Sequence, residues 1–435
     1  MPSLPEYTLV ERQTMISGVP DYVVQMIAPV IAYWAVSLIF HILDECDLFP
    51  QYRLHTPAEI SKRNKVTRYE VFRDVIVQQV IQTLFGIFLA YFDPPEMVGR
   101  EEHDVAVWAQ RLRTVQAYLP AALRAFGVDS TRLASNLLST QPTLASVIAG
   151  GTYTHSGFAQ LELTTASAIY WIGIPLFQFV VAVLMVDTWQ YFLHRAMHMN
   201  KFLYTTLHSR HHRLYVPYAY GALYNHPMEG FLLDTLGTGL AYLVTGMTVR
   251  QGMWFFTMST IKTVDDHCGY AFPWDPLQHV TSNNAAYHDI HHQSWGIKTN
   301  FSQPFFTFWD RFLNTRWAGG DVSSRYQRDR LAAQKKVDAE TASIAATITN
   351  SPATDLNLAA EQAAASQQQV FDDPEVDGNT VLQEEIREER EVKAQTVRRN
   401  TRRKTSGFDP KSISDRVSSS LHGRSATILH ADGMR

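Results

Sequence analysis

The sequence predicts an all-α, polytopic integral membrane protein with about four transmembrane segments and a cytosolic histidine-rich helical cap. Two observations carry this prediction. Several apolar runs are about twenty residues long, which is enough to cross a bilayer. Eleven of the 17 histidines lie between His194 and His292. We divide the 435 residues into an N-terminal segment (1–22), a membrane-embedded domain (23–317) and a tail (318–435).

Four segments are candidates for crossing the membrane. The first runs from Val23 to about Leu43 without any Lys, Arg, Asp or Glu. The second, about Val71 to Phe92, contains glutamines that need polar partners in lipid. The third, about Ala168 to Phe192, leads into the histidine-rich stretch. The fourth, about Gly230 to Ile261, has histidines on both sides that must meet. We therefore expect a helical hairpin or re-entrant pair there, with bends at Gly237, Gly239 and Gly246.

Charge predicts the orientation of these segments. Five basic residues lie between the first two spans, and such clusters mark the cytosolic side: Arg53, Lys62, Arg63, Lys65 and Arg68. Two spans separate this loop from the histidines, so both are expected in the cytosol. The intervening stretch 93–163 is then lumenal, and 130–165 reads as an insertion or flexible loop in which His155 has no special role. The same orientation predicts that the sequon at Asn300 carries no glycan.

The remaining composition limits the class of protein. A formal net charge of -4 does not indicate a nucleic-acid binder, and two cysteines do not make a disulfide framework. The N-terminus has no pattern typical of a cleavable signal peptide. From about Val337 onward, aromatic residues are almost absent, which predicts a cytosolic, largely disordered tail. Its basic run 398–404 is a contact for anionic lipid, a recognition site for a basic-directed kinase at the neighbouring Thr405 and Ser406, or simply solvated. A soluble all-α protein is the alternative to the membrane interpretation.

Eight histidines form three boxes whose spacing of three or four residues places the rings of each box on one helix face. The boxes are His194 and His198; His208, His211 and His212; and His288, His291 and His292. Clustered imidazoles indicate metal ligands. His226 and His267 are less certain ligands, and Cys268 reads as a packing residue. Five carboxylates near the boxes are expected to hold the ligand rings rather than the metal: Asp187, Glu229, Asp265, Asp266 and Asp289.

The number of histidines bears on the identity of the metal. Eight imidazoles exceed the four ligands of a tetrahedral zinc, but they suit two metals with open positions. Open positions beside a membrane point to oxygen activation on a lipid. Iron fits that role, since zinc has no redox chemistry. We identify no catalytic residues beyond the metal ligands.

The stretches Val186–Gly239 and Thr263–Asp310, which contain all three boxes, resemble the membrane-bound fatty acid hydroxylase and sterol desaturase superfamily. Within it, the chain is similar to the fungal sphinganine C4-hydroxylases. This resemblance implies two non-haem iron ions and O₂-dependent hydroxylation of carbon 4 of sphinganine or dihydroceramide. It also implies electrons from NAD(P)H through cytochrome b5 and its reductase, and an endoplasmic reticulum membrane location. The sequence has no haem module or dinucleotide fingerprint, so the electron carrier would be a separate protein.

Three other functions are compatible with the histidine boxes. A sterol desaturase or C4-methyl sterol oxidase would share the boxes and differ in product. A zinc hydrolase acting on membrane lipid would need a general base and no reductant. A non-catalytic metal-binding membrane protein would consume no oxygen.

Overall fold

The computed structural model describes residues 2–151 and 157–350, which are mainly helical. Two short strands, β1 (Val10–Glu11) and β2 (Met97–Val98), pair antiparallel. The α-helices are α1 (Asp21–Glu45), α2 (Pro57–Arg63), α3 (Arg68–Ala90), α4 (Glu101–Gln116), α5 (Leu119–Ala125), α6 (Ser130–Leu137), α7 (Pro142–Ile148), α8 (Gln160–Ala168), α9 (Ile174–Met199), α10 (Lys201–Thr206), α11 (Pro227–Gly230), α12 (Gly237–Thr245), α13 (Val249–Asp266), α14 (Leu277–Val280), α15 (Ala285–His292), α16 (Phe308–Phe312) and α17 (Ser323–Asn350). Three 3₁₀ turns are Pro50–Tyr52, His208–Arg213 and Ala219–Gly221, and two π-helical turns are Ile169–Gly173 and Phe231–Leu236.

Three helices of the described chain are long and apolar enough to cross a membrane. They are α1, α3 and the continuous helical stretch Gln160–Met199, which contains α8, one π turn and α9. Few of their apolar side chains are buried, and many are exposed, for example Ile31 at 64% and Phe177 at 70%. An exposed apolar surface of this extent suits lipid rather than water. The first three predicted spans are therefore confirmed as helices with the length and composition of membrane spans.

The fourth predicted segment has a different form. It contains a π-helical turn followed by α12 and α13, which have nine and 18 residues. Gly246 separates the two helices with φ +64°, a left-handed conformation that glycine adopts without steric cost. The rings of Tyr242 and Phe256 lie 5.6 Å apart across the pair. This is the expected helical hairpin, but neither arm is among the three helices that meet the requirements for a membrane span.

The chain divides into two compact units, of which the first contains 1–28, 83–185 and 238–256. Within this unit, α6 and α7 pack through buried Ala134, Ala145 and Ile148. Asp129 caps α6 by accepting hydrogen bonds from two backbone N–H groups. The prediction of a flexible loop at 130–165 is therefore wrong for residues 130–148, where small residues serve close helix packing. His155 lies outside the described residues.

The second unit contains 29–82, 186–237 and the described residues from 257 onward. Its core includes Tyr33, Val71, Leu214, Tyr224 and Val264, all fully buried. Residues of this core adjoin the segments that carry the histidines, which are the end of α9, the 3₁₀ turn His208–Arg213, the position directly after α13, and α15. All three histidine boxes thus belong to one compact unit.

The beginning of the predicted tail is ordered. Residues 323–350 form α17, although the sequence prediction placed them in a disordered segment. Tyr326 and Ala333 are buried, because α17 packs against α2. The prediction from composition did not identify this helix, because its few buried residues are spread among many charged ones. Residues 351–435, including the basic run, lie outside the described residues.

Candidate metal centre

Nine buried histidines form two groups in which the candidate ligand atoms lie within 4.8 Å of one another. The first cluster consists of His194, His198, His208, His212 and His291. The second cluster consists of His211, His267, His288 and His292. The structure therefore brings together all eight box histidines and His267. It does not bring His226 into either cluster, because its Nδ1 accepts a hydrogen bond from Met228 N (3.2 Å) at the start of α11.

Two of the three boxes are divided between the clusters. His208 and His212 belong to the first cluster, whereas His211 belongs to the second. Likewise, His288 and His292 belong to the second cluster, and His291 to the first. In each case the pair four residues apart stays together. The prediction that the rings of each box lie on one helix face is therefore wrong for these two boxes, because the ring three residues after the first histidine belongs to the other cluster. The second box is also a 3₁₀ turn rather than an α-helix.

Backbone carbonyls fix the proton positions on five of the rings. The Nδ1 atoms of His194 and His291 donate to Phe301 O (2.8 Å) and Thr299 O (2.7 Å), which belong to one loop. The same contact joins His211 to Tyr224 O (3.0 Å), His292 to Leu214 O (3.0 Å) and His267 to Thr263 O (2.9 Å). A carbonyl can only accept a hydrogen bond, so Nδ1 carries the proton in each ring. The Nε2 atoms are left with free lone pairs.

The Nε2 atoms of the rings in each cluster converge. In the first cluster, His208 Nε2 lies 2.7 Å from His198 Nε2 and 3.1 Å from both His194 Nε2 and His212 Nε2. In the second cluster, His288 Nε2 lies 3.0 Å from His267 Nε2 and 3.1 Å from His292 Nε2. Converging lone pairs repel one another unless a cation lies among them. The donor sets therefore fit a metal ion in each cluster, and imidazole nitrogen suits iron, copper or zinc.

Burial keeps these rings neutral. Loss of solvent lowers the pKa of His208 to about 3, that of His211 to about 4 and that of His267 to about 3. Only a neutral imidazole binds a metal, since protonation removes the lone pair. At neutral pH these three rings are thus in the form that coordinates a cation.

Among the five predicted carboxylates, Glu229 is the one that contacts a ligand ring in the described structure. It accepts a hydrogen bond from His208 Nδ1, and burial raises the pKa of Glu229 to about 7. Asp187 instead accepts from the backbone N–H groups of Phe305 and Phe306, both at 2.9 Å. It therefore anchors the loop before α16 rather than an imidazole.

The other three predicted carboxylates also have partners outside the clusters. Asp265 accepts from Gln278 (3.3 Å), and Asp266 pairs with the buried Lys262 and accepts from Asn283 (3.0 Å). Asp289 contacts His55 Nε2 (2.9 Å) and Tyr326. These groups hold elements that carry ligands, and most ligand rings are held by carbonyls.

Asp310 is a site residue that the sequence analysis did not identify. It is fully buried and accepts from Phe301 N (3.0 Å), Ser302 N (2.7 Å) and Tyr287 Oη (2.9 Å). Asp310 thus fixes the loop whose carbonyls hold His194 and His291. No spacing signal in the sequence connects this aspartate with the boxes, because the connection runs through backbone atoms.

The same loop contains the sequon at Asn300. Asn300 is 1% exposed, its Oδ1 accepts from Trp317 N (2.8 Å), and its Nδ2 donates to Tyr287 O (3.0 Å). An amide with this burial is inaccessible in the folded chain on either side of a membrane. This burial concerns the folded chain, so the absence of a glycan at Asn300 stays a prediction.

A small cavity adjoins both clusters. It is lined by Gln190, His208, His211, Ala222, Asn225, Glu229, Leu233, Asp234, Thr263, Asp266, His267, His288, Gln303 and Pro304. Three of the four histidines of the second cluster face it, but only one of the first. The cavity therefore provides space for a small molecule beside the second cluster.

Comparison with known proteins agrees with this centre. The fatty acid hydroxylase family model matches residues 179–315, which include all nine clustered histidines. Sphingolipid C4-hydroxylase SUR2 of Saccharomyces cerevisiae is 44% identical over 74% of this chain and 80% of its own length. Sphinganine C4-monooxygenase 1 of Arabidopsis thaliana is 39% identical over 68% of this chain and 88% of its own. Very-long-chain aldehyde decarbonylase GL1-9 of Oryza sativa subsp. indica is 38% identical over 68% and 89%. No solved structure matches the chain.

The buried polyhistidine centre and these matches together define a helical, metal-dependent oxygenase whose long apolar helices could span a membrane. The chain belongs to the fatty acid hydroxylase family, and relatives named as sphingolipid C4-hydroxylases match most of its length. The resemblance found in the sequence is confirmed.

Proposed function

We propose that the protein is a sphinganine C4-monooxygenase. It uses O₂ to hydroxylate carbon 4 of sphinganine or dihydroceramide and so makes phytosphingosine-type lipids. The observation that carries this proposal is the pair of buried histidine clusters in a chain 44% identical to a sphingolipid C4-hydroxylase. Electrons come from NAD(P)H through cytochrome b5 and its reductase.

The metal in both clusters is iron in this proposal, giving two non-haem ions. His194, His198, His208, His212 and His291 hold one ion, and His211, His267, His288 and His292 hold the other. Iron supplies the one-electron redox chemistry needed to attack an unactivated C–H bond. The family resemblance and the all-imidazole donor sets support this choice.

The protein's own residues prepare the centre for that chemistry. The carbonyls of Thr299 and Phe301 keep two rings as Nδ1–H tautomers, so their Nε2 lone pairs face inward. Glu229 does the same for His208. Rings held in this way need little reorganisation on metal binding. The cavity beside the second cluster is the proposed meeting place of oxygen and carbon 4, and its buried walls limit access by bulk water.

We further propose an endoplasmic reticulum location, with the histidine clusters facing the cytosol. The basic residues between α1 and α3 support this orientation. Cys46 offers a native reporter, because it is exposed directly after α1, whereas Cys268 is buried. A membrane-impermeant maleimide should label intact, cytosol-side-out microsomes at Cys46. Cys46→Ser is the control, and labelling that requires detergent would reverse the orientation.

The reaction is tested with microsomes that contain the protein, sphinganine, NAD(P)H and ¹⁸O₂. We expect 4-hydroxysphinganine that carries one ¹⁸O atom, and loss of product when an iron chelator is added. Unlabelled product, or a desaturated chain without a hydroxyl group, would refute the hydroxylase assignment.

The rice relative gives a reason to test a second substrate class. Its name concerns very-long-chain aldehydes, and it is nearly as similar to this chain as the Arabidopsis relative. Parallel reactions should therefore contain a long-chain aldehyde or a 4-methyl sterol, the substrate of the sterol oxidase alternative. We expect turnover of the sphingoid base alone. Preferential conversion of either competitor would assign the chain to that chemistry.

A further inference from the structure

The carboxyl-terminal helix α17 packs on the element that carries the third histidine box. Val322 and Tyr326 form one buried hydrophobic cluster with Ile290 and Trp295. Ile290 lies within α15, and Trp295 follows it by three residues. The rings of Trp295 and Tyr326 meet edge to face with centroids 5.9 Å apart. The start of α17 therefore covers the side of α15 that faces away from the metal clusters.

A polar contact reinforces this packing. Asp289 is 2% exposed and lies one residue after His288 in α15. Its carboxylate accepts hydrogen bonds from Tyr326 Oη and Gln293 Nε2 (3.3 Å), and it contacts His55 Nε2 at 2.9 Å. None of these contacts involves a clustered histidine. Asp289 therefore fixes the helix itself rather than a single ligand ring.

The network continues into α2. His55 Nδ1 lies 3.0 Å from Glu59 Oε1, so this ring lies between two carboxylates. Burial alone lowers the pKa of His55, but Asp289 and Glu59 outweigh this effect and raise it to about 9. Arg63 Nη2 donates to Gln293 Oε1 at 2.6 Å. A buried ionic network of this kind is stabilising only while every member has its partner.

The helix α15 depends on such external contacts. It has eight residues, and helices this short are marginal in isolation. Asn284 caps its first turn by accepting from Tyr287 N (2.9 Å). A cap fixes where a helix begins, but not how the helix is oriented. The orientation matters here, because metal–nitrogen distances tolerate deviations of only about 0.2 Å.

We propose that α17 is part of the metal-binding domain and that Tyr326, through Asp289, positions α15 and its three ligands, His288, His291 and His292. Because these ligands belong to both clusters, Tyr326 contributes to the metal affinity of each one. Tyr326 is a positioning residue, since it touches no ligand ring of either cluster in the described structure. The inference rests on the metal centre of the proposed function and extends the catalytic domain beyond residue 317.

The test uses the full chain, purified in detergent, with Co²⁺ as a spectroscopically visible probe. Tyr326→Phe removes one hydroxyl and keeps the ring. We expect its Kd for Co²⁺ to rise by about threefold to tenfold, at or below the usual effect of losing a direct partner of a ligand. We also expect its visible absorption bands to shift, because the ligand geometry changes. Tyr118→Phe is the matched control, since Tyr118 is 70% exposed, and it should change neither quantity.

A double-mutant cycle tests the route of the effect. If Tyr326 acts through Asp289, then Tyr326→Phe should add almost nothing to the loss of Co²⁺ affinity caused by Asp289→Asn. Additive losses would contradict this route. The melting temperature of the metal-free protein separates positioning from general stability. A lower melting temperature with unchanged Co²⁺ affinity and spectrum would overturn the proposal.

Failure of this inference can be distinguished from failure of the proposed function. An unaltered chain that binds no Co²⁺ would refute the metal centre and the inference together. The other outcome has three parts. The unaltered chain binds Co²⁺, and Tyr326→Phe weakens this binding as expected, but the iron form of the unaltered chain hydroxylates no sphingoid base. This outcome would refute only the proposed reaction.

Discussion

The two histidine clusters differ in how their members are distributed along the chain. The first cluster takes all five histidines from the three boxes. The second takes three from the boxes and one, His267, from the position directly after α13, where a lone histidine has no spacing signal. The difference shows that a sequence motif identifies residues on one helical turn. A metal site selects side chains by where the tertiary fold directs them.

The largest expected effect tests whether His267 is as necessary for metal binding and activity as the histidines of the three boxes. We expect His267→Ala to reduce formation of 4-hydroxysphinganine to background and to lower the metal content by about one ion per chain. The control is His226→Ala, which removes a histidine outside both clusters and should retain most activity. Metal analysis of the purified variants and mass spectrometry of the lipids provide the measurements. If His267→Ala keeps as much activity as His226→Ala, then His267 is not a metal ligand that the reaction needs.

A smaller effect tests the carboxylate that serves one cluster. Glu229 holds His208 of the first cluster, whereas His211, His267 and His292 of the second are held by carbonyls. Glu229→Ala should therefore weaken metal binding about tenfold to a hundredfold at one of two sites. A biphasic Co²⁺ titration would show this selectivity. Equal weakening of both sites would mean that Glu229 does not act on the first cluster alone.

The smallest effect concerns pH. The pKa of His55 is raised from its ordinary value near 6.5 to about 9, so its contribution to stability is complete below about pH 6.5 and is lost as the pH rises through about 9. The melting temperature of the metal-free protein should therefore fall more between pH 7 and pH 9.5 (about half a unit past that pKa) than that of His55→Gln. Parallel curves for both proteins would show that His55 is not charged in the folded state.

The sequence predicted the features that depend on local chemistry. Long apolar runs indicated the first three apolar helices, and histidine spacing indicated eight of the nine clustered rings. The sequence did not predict the features that depend on backbone atoms or on contacts between distant residues. The division of two boxes between clusters, the role of Asp310 and the carbonyls that orient the rings have no side-chain pattern. Tyr326 was placed in a tail because composition averages over a helix whose inward face is narrow.

The shared turn at His208–Arg213 has a consequence for metal loading. His208 and His212 serve one ion while His211, on the same short turn, serves the other. Binding of the first ion orders this backbone, so binding of the second ion costs less conformational entropy. The second ion should therefore bind more tightly than it would to a chain that holds no metal. A centre filled in this way resists occupation by a single stray cation, because one ion alone gains only part of the available binding energy.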